Sequence, residues 1–68
     1  MNADGFNMSI RKVLKMVGVR SQHEIEQAVA LAMESGRIKG NECLLAKMTL
    51  TVNGIDITVS FDGEIPLE

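Results

Sequence analysis

Aromatic side chains are almost missing from this sequence: Phe6 and Phe61 stand alone, and there is no Trp or Tyr. That removes the stacking platform on which single-stranded nucleic acid is usually held. Cysteine occurs once, as Cys43, and histidine once, as His23. No intrachain disulfide can staple the fold, and no His/Cys cluster offers a structural metal. Long apolar runs are missing too, and no window approaches the roughly 18–20 apolar residues of a membrane span. Arg11, Lys12 and Lys15 interrupt any early apolar stretch, so a signal peptide is not expected. A lone cysteine without an export signal points to the cytoplasm. A strong charge of one sign is also lacking. The net charge of −2 argues against a partner gripped through a phosphate backbone, so nucleic acid is an unlikely ligand.

What is present suits a folded protein. The chain is 46% hydrophobic and 24% charged, which places it away from disordered compositions. Its 68 residues make one small domain, over residues 1–68. A core of this size is marginal, because a ~60-residue domain buries only about 60% of its unfolded surface. With no disulfide and no metal, idealised local structure or self-association must supply the rest. A homodimer is expected on that ground. The charge is unevenly spread. Residues 1–39 hold Arg11, Lys12, Lys15, Arg20, Arg37 and Lys39 against four carboxylates, whereas residues 40–68 hold Lys47 against five. Ordinary surface charge accounts for this.

Periodicity divides the chain in two. Phe6, Ile10, Val13, Leu14 and Val17 repeat as one helical face, with Asn2 or Asp4 available to cap it. Gly18 suits a helix end. Ser21 and Glu24 have capping-box spacing, which suggests a second start. Ile25, Ala28, Val29, Ala32 and Met33 then form a second stripe, closed by Gly36. The expected helices span about residues 5–17 and 22–35, meeting at a corner over Val17–Glu24.

The second half alternates with period two. Ala46, Met48, Leu50 and Val52 oppose Lys47, Thr49 and Thr51, while Ile55, Ile57, Val59 and Phe61 oppose Asp56, Thr58 and Ser60. Asn53-Gly54 between them is a strong hairpin signal, because a two-residue type I′ turn needs positive φ twice. It would pair Val52 with Ile55 and Leu50 with Ile57. Asp62-Gly63 signals another turn, leading to an edge strand that carries Pro66. The expected strands cover about residues 45–52, 55–60 and 64–67. The fold expected is α+β: two N-terminal helices packed on a three-stranded antiparallel meander, ααβββ.

Chemistry is sparse. His23 reads as an exposed first-turn residue, and Cys43 sits beside Glu42, acidic company that makes it a poor nucleophile candidate. Gly36, Gly40, Gly54 and Gly63 are spaced as turn residues and form no phosphate fingerprint. Catalytic, cofactor and metal residues are therefore assigned to no position, and an enzyme is not expected.

Two binding readings compete. Arg11, Lys12 and Lys15, with Met8 among them, oppose the first apolar stripe and suit contact with a protein partner or a second copy. Alternatively, the Val17–Glu24 corner is a helix-turn-helix reading nucleic acid through Arg20, Gln22, His23 and Gln27. Glu24, Glu26 and Glu34 on the same segment would repel phosphates, which favours the protein-interaction reading.

Asn7-Met8-Ser9-Ile10-Arg11-Lys12, Val17-Gly18-Val19, Ser21-Gln22, Glu24-Ile25-Glu26, Ser35-Gly36-Arg37, Met48-Thr49-Leu50-Thr51 and Asp62-Gly63-Glu64-Ile65 together resemble a family of short bacterial proteins catalogued as a domain of unknown function. The resemblance covers nearly the whole chain and implies a bacterial origin. It implies no activity, ligand or functional residue.

Overall fold

A computed structural model describes residues 1–68. It separates into two compact units, Met1–Ser35 and Gly36–Glu68. The first unit is a single helix, α1, over Ala3–Glu34. The second is a two-stranded antiparallel sheet of β1, Cys43–Val52, and β2, Ile57–Pro66. The expected ααβββ arrangement is thus corrected to αββ.

The start of α1 is set locally. Asn2 takes an extended backbone, and its side-chain oxygen accepts from the Gly5 backbone N–H at 3.1 Å. That satisfies one of the four N–H groups that a helix start leaves without a partner. The end is equally local. The Ser35 N–H donates to the Leu31 carbonyl at 3.0 Å, and Gly36 then takes φ 76°, the left-handed conformation that stops a helix.

Between those ends the expected corner is absent. Gly18 has no positive φ, and Ser21 and Glu24 lie inside α1. Two physical reasons account for this. A helical glycine costs only about 1 kcal/mol relative to alanine, and Lys15, Met16 and Arg20 nearby are good helix formers. The apolar stripe also crosses the supposed corner in phase. Phe6, Ile10, Leu14, Val17, Ser21, Ile25, Ala28 and Ala32 follow steps of 4, 4, 3, 4, 4, 3 and 4. That is an 11-residue repeat of about 3.67 residues per turn, close to the period of a straight helix. The 32 residues of α1 extend about 48 Å at 1.5 Å each.

The hairpin sits where alternation places it, but its connection is longer than expected. Residues 53–56 join the strands, and Val52 pairs with Ile57, not Ile55. Positive φ falls at Gly54 and Asp56, not at Asn53 and Gly54, so the two-residue type I′ turn does not form. The shift of two residues keeps the faces intact. It also sets Lys47 opposite Asp62, a favourable cross-strand charge pair.

The expected third strand is a continuation of β2. Asp62 and Gly63 are ladder residues opposite Lys47 and Ala46. The reason lies in the pairing. Val52 meets Ile57, Leu50 meets Val59, Met48 meets Phe61, Ala46 meets Gly63 and Leu44 meets Ile65. Directly opposed residues share a face, so one straight ladder collects every one of these apolar side chains on one side. Pro66 lies at the end of the strand and costs no interior ladder bond. Beyond it the Leu67 N–H donates to the Glu42 carbonyl at 2.9 Å.

Candidate interaction surfaces

The helical unit offers two surfaces. The first is the in-phase stripe. Phe6 is 50% exposed and Leu14 56%, values that mark large apolar side chains facing outward. Ser21, Ile25, Val29 and Ala32 farther along are partly buried.

The second surface holds the four residues expected to bind a partner. Met8, Arg11, Lys12 and Lys15 line one open depression on α1 together with Gly5 and Ser9. Their clustering follows from helical geometry, since positions 8, 11, 12 and 15 are neighbours at spacings of three and four. Gly5 contributes no side chain, and the Ser9 hydroxyl folds back to donate to the Gly5 carbonyl at 2.9 Å. What remains is an apolar thioether beside three flexible cations, all exposed. Such a face suits a carboxylate-bearing surface. It is too open to enclose a small ligand.

Arg20, Gln22, His23 and Gln27, the alternative nucleic-acid set, are all exposed within the continuous helix. A helix-turn-helix needs a first helix set at an angle to the reading helix. Residues 17–24 supply no such corner, so the helix-turn-helix geometry expected there is absent.

The hairpin adds a third surface that the sequence analysis did not single out. Its apolar face carries Met48, Leu50, Val52, Val59 and Phe61, with Phe61 56% exposed. The opposite face is polar apart from Cys43, Leu45 and Pro66, and Thr49 and Ser60 share a hydrogen bond across it at 3.3 Å. Leu45 is 83% exposed beside Glu64 and Asp62, and Cys43 is free and exposed at the start of β1. The pairing of Leu44 with Ile65 was the signal for the full extent of the apolar face. It was hidden by reading Asp62-Gly63 as a turn.

A second missed feature is the clasp at the entry to β1. The Glu42 carboxylate accepts from the Lys39 N–H at 2.8 and 3.1 Å and from the Gly40 N–H at 2.9 Å. These bonds favour the ionised form and hold the carboxyl below the usual glutamate range, with Lys39 the largest cause and Gly40 next. Gly40 takes φ 103°, which a side chain would strain. The clasp therefore reads as a built turn that aims the chain into β1. The signal available was a carboxylate two residues after a glycine.

No group of three or more His, Cys, Asp or Glu side chains is gathered as metal ligands, and no helix is long and apolar enough to cross a membrane. Comparison with curated proteins and with solved structures finds no match. The family comparison does, and it spans all of α1, the clasp and the hairpin: over residues 1–68 the chain belongs to a family described as "Family of unknown function (DUF6494)".

Proposed function

We propose that this protein is a non-enzymatic interaction module that works by covering its exposed apolar faces with another protein chain, a second copy of itself included. One observation carries the proposal. In a chain that is 46% hydrophobic, no residue is buried within either unit, one a lone helix and the other a lone two-stranded sheet. Eighteen large apolar side chains are exposed, from Phe6 and Leu14 to Leu50 and Phe61.

A two-stranded hairpin is marginal by itself in water, so its apolar face also gains from a cover. A cytoplasmic setting fits the single free thiol.

Light scattering across a wide concentration range tests the proposal. A mass of two or more chains that persists on dilution supports it. A strict monomer at high concentration, with a well-dispersed NMR spectrum, overturns self-association and leaves only a different protein as partner. Failure of that monomer to protect the apolar faces against hydrogen exchange in the presence of any cellular protein fraction would remove that form too.

A further inference from the structure

We infer that two copies join through the open edge of β1, antiparallel and centred on Met48, to form one four-stranded sheet. This rests on the association proposed above and names its occupant and register. Three properties of the hairpin carry it: where its backbone groups point, how its two edges differ, and how β1 matches itself.

The Leu67 N–H donates to the Glu42 carbonyl at 2.9 Å, one step beyond the Cys43–Pro66 pair. Bonded and non-bonded pairs alternate along an antiparallel ladder. Leu44–Ile65, Ala46–Gly63, Met48–Phe61 and the later pairs of the apolar face are therefore the bonded ones. The N–H and C=O groups of Cys43, Leu45, Lys47, Thr49 and Thr51 consequently point away from β2, to the open edge of β1. Those of Thr58, Ser60, Asp62 and Glu64 point to the open edge of β2, where Pro66 has no N–H to offer.

The two edges are unequal. β2 carries Asp62, Glu64 and Pro66 on its outward residues, and charge and proline discourage a further strand. β1 keeps every outward N–H and has one charge, Lys47, which already faces Asp62 across the ladder. Leu45, 83% exposed, stands on the same edge. Joining two copies through β1 leaves only β2 on both outer sides, so the assembly closes at two. Its four strands exceed the three that a sheet with one apolar face needs for independent stability.

β1 is also its own complement. A two-fold axis perpendicular to the sheet reverses the strand and keeps both apolar faces on one side, whereas an axis along the strand would join apolar face to polar face. Side chains share faces only if the axis falls on a residue, not between two. Centred on Lys47, the pair would set like charges directly opposite. Centred on Thr49, the overlap shrinks to residues 46–52, and on Ala46 to residues 43–49. Centred on Met48, it keeps residues 44–52 and sets Lys47 opposite Thr49 and Leu45 opposite Thr51. On the apolar face Leu50 meets Ala46, Val52 meets Leu44 and Met48 meets itself.

Amide exchange and disulfide trapping in the full-length protein test the contact. In a dimer of the parent, the Lys47 and Thr49 amides should be protected relative to their intrinsic rates, and those of Ser60 and Asp62 should exchange freely. Met48→Cys with Cys43→Ser should close an interchain disulfide in a glutathione redox buffer, because non-bonded partners lie about 4.5 Å apart at Cα. Leu50→Cys with Cys43→Ser should not, because its two copies lie about 13 Å apart along the strand. Circular dichroism confirms that each variant keeps its fold, and the parent's exchange pattern decides if one does not. A dimer with free Lys47 and Thr49 amides means that another surface joins the copies, and overturns this inference while self-association stands. Protected amides with a disulfide at Leu50→Cys and none at Met48→Cys overturn the register in the same way. A strict monomer overturns both this inference and self-association.

Discussion

The helix and the hairpin each contain residues that signal a break, and neither breaks. In α1 the signal is Gly18 followed by Ser21 and Glu24. In β2 it is Asp62-Gly63. Both segments run straight through. The comparison teaches what such signals weigh. A glycine is permissive, so it allows a turn without demanding one. Where the apolar pattern continues in phase on both sides, cooperative hydrogen bonding carries the element across. The units differ in what continuity achieves. Across Gly18 it lengthens an apolar stripe whose side chains grow smaller toward the C-terminal end. Across Gly63 it completes a flat face of paired β-branched, aliphatic and aromatic residues.

The contrast can be broken hardest at the stripe. Ile10→Asp places a carboxylate where an apolar contact is proposed, at a cost of roughly 3 kcal/mol or about 100-fold in association. Light scattering should show dissociation. Lys12→Asp on the opposite face should leave the mass near that of the parent at moderate concentration. Equal loss in both variants would mean that the basic depression, not the stripe, holds the partner.

Gly18→Ala comes next, and its sign is informative. A Cβ there meets nothing within 4 Å, so the variant should gain about 1 kcal/mol of helix stability. A left-handed corner would instead lose a similar amount. The thermal midpoint by circular dichroism decides between them.

Gly63→Val makes the matching test in the hairpin. Gly63 has no positive φ and open space for a side chain opposite Ala46. Valine should strengthen the hairpin by up to about 1 kcal/mol through pairing and β propensity. A turn at this position would make the same change destabilising. Amide exchange across Lys47 and Asp62 measures the outcome.

The smallest effect is at the Glu42 clasp. Its carboxyl is held below the ordinary range in the folded protein. Stability from the clasp is therefore fully present above the unfolded pKa of about 4.3 and is lost as pH falls through the lower folded value. Relative to their intrinsic rates, the Lys39 and Gly40 amides should lose protection below that window. Glu42→Gln should show weaker protection with no such pH dependence, because the ionised acceptor is gone. Protection that ignores pH in the parent would show that the clasp does not form in solution.

Much of the site and fold was legible because it is local. Met8, Arg11, Lys12 and Lys15 cluster by helical spacing alone, and the Asn2 cap needs only its own first turn. Less was legible at residues 17–24, where an in-phase stripe and capping signals point to opposite outcomes. The corner expected to present Arg20, Gln22, His23 and Gln27 does not form, because they lie within the continuous helix. The Glu42 clasp escaped because a carboxylate bonding its own loop leaves no periodic mark.

By itself the sequence determined an amphipathic helical half, an alternating half, a reversal near Asn53-Gly54 and a stop at Gly36. Each depends on residues within a few positions of one another. The three-dimensional structure decided how far each element runs and which strand residues face each other. Those outcomes compare whole registers. A loop of residues 53–56 wins over a two-residue turn in a ladder that brings Lys47 to Asp62 and Leu44 to Ile65. A single helix wins over two because about 1 kcal/mol at Gly18 is small beside an unbroken run of backbone hydrogen bonds.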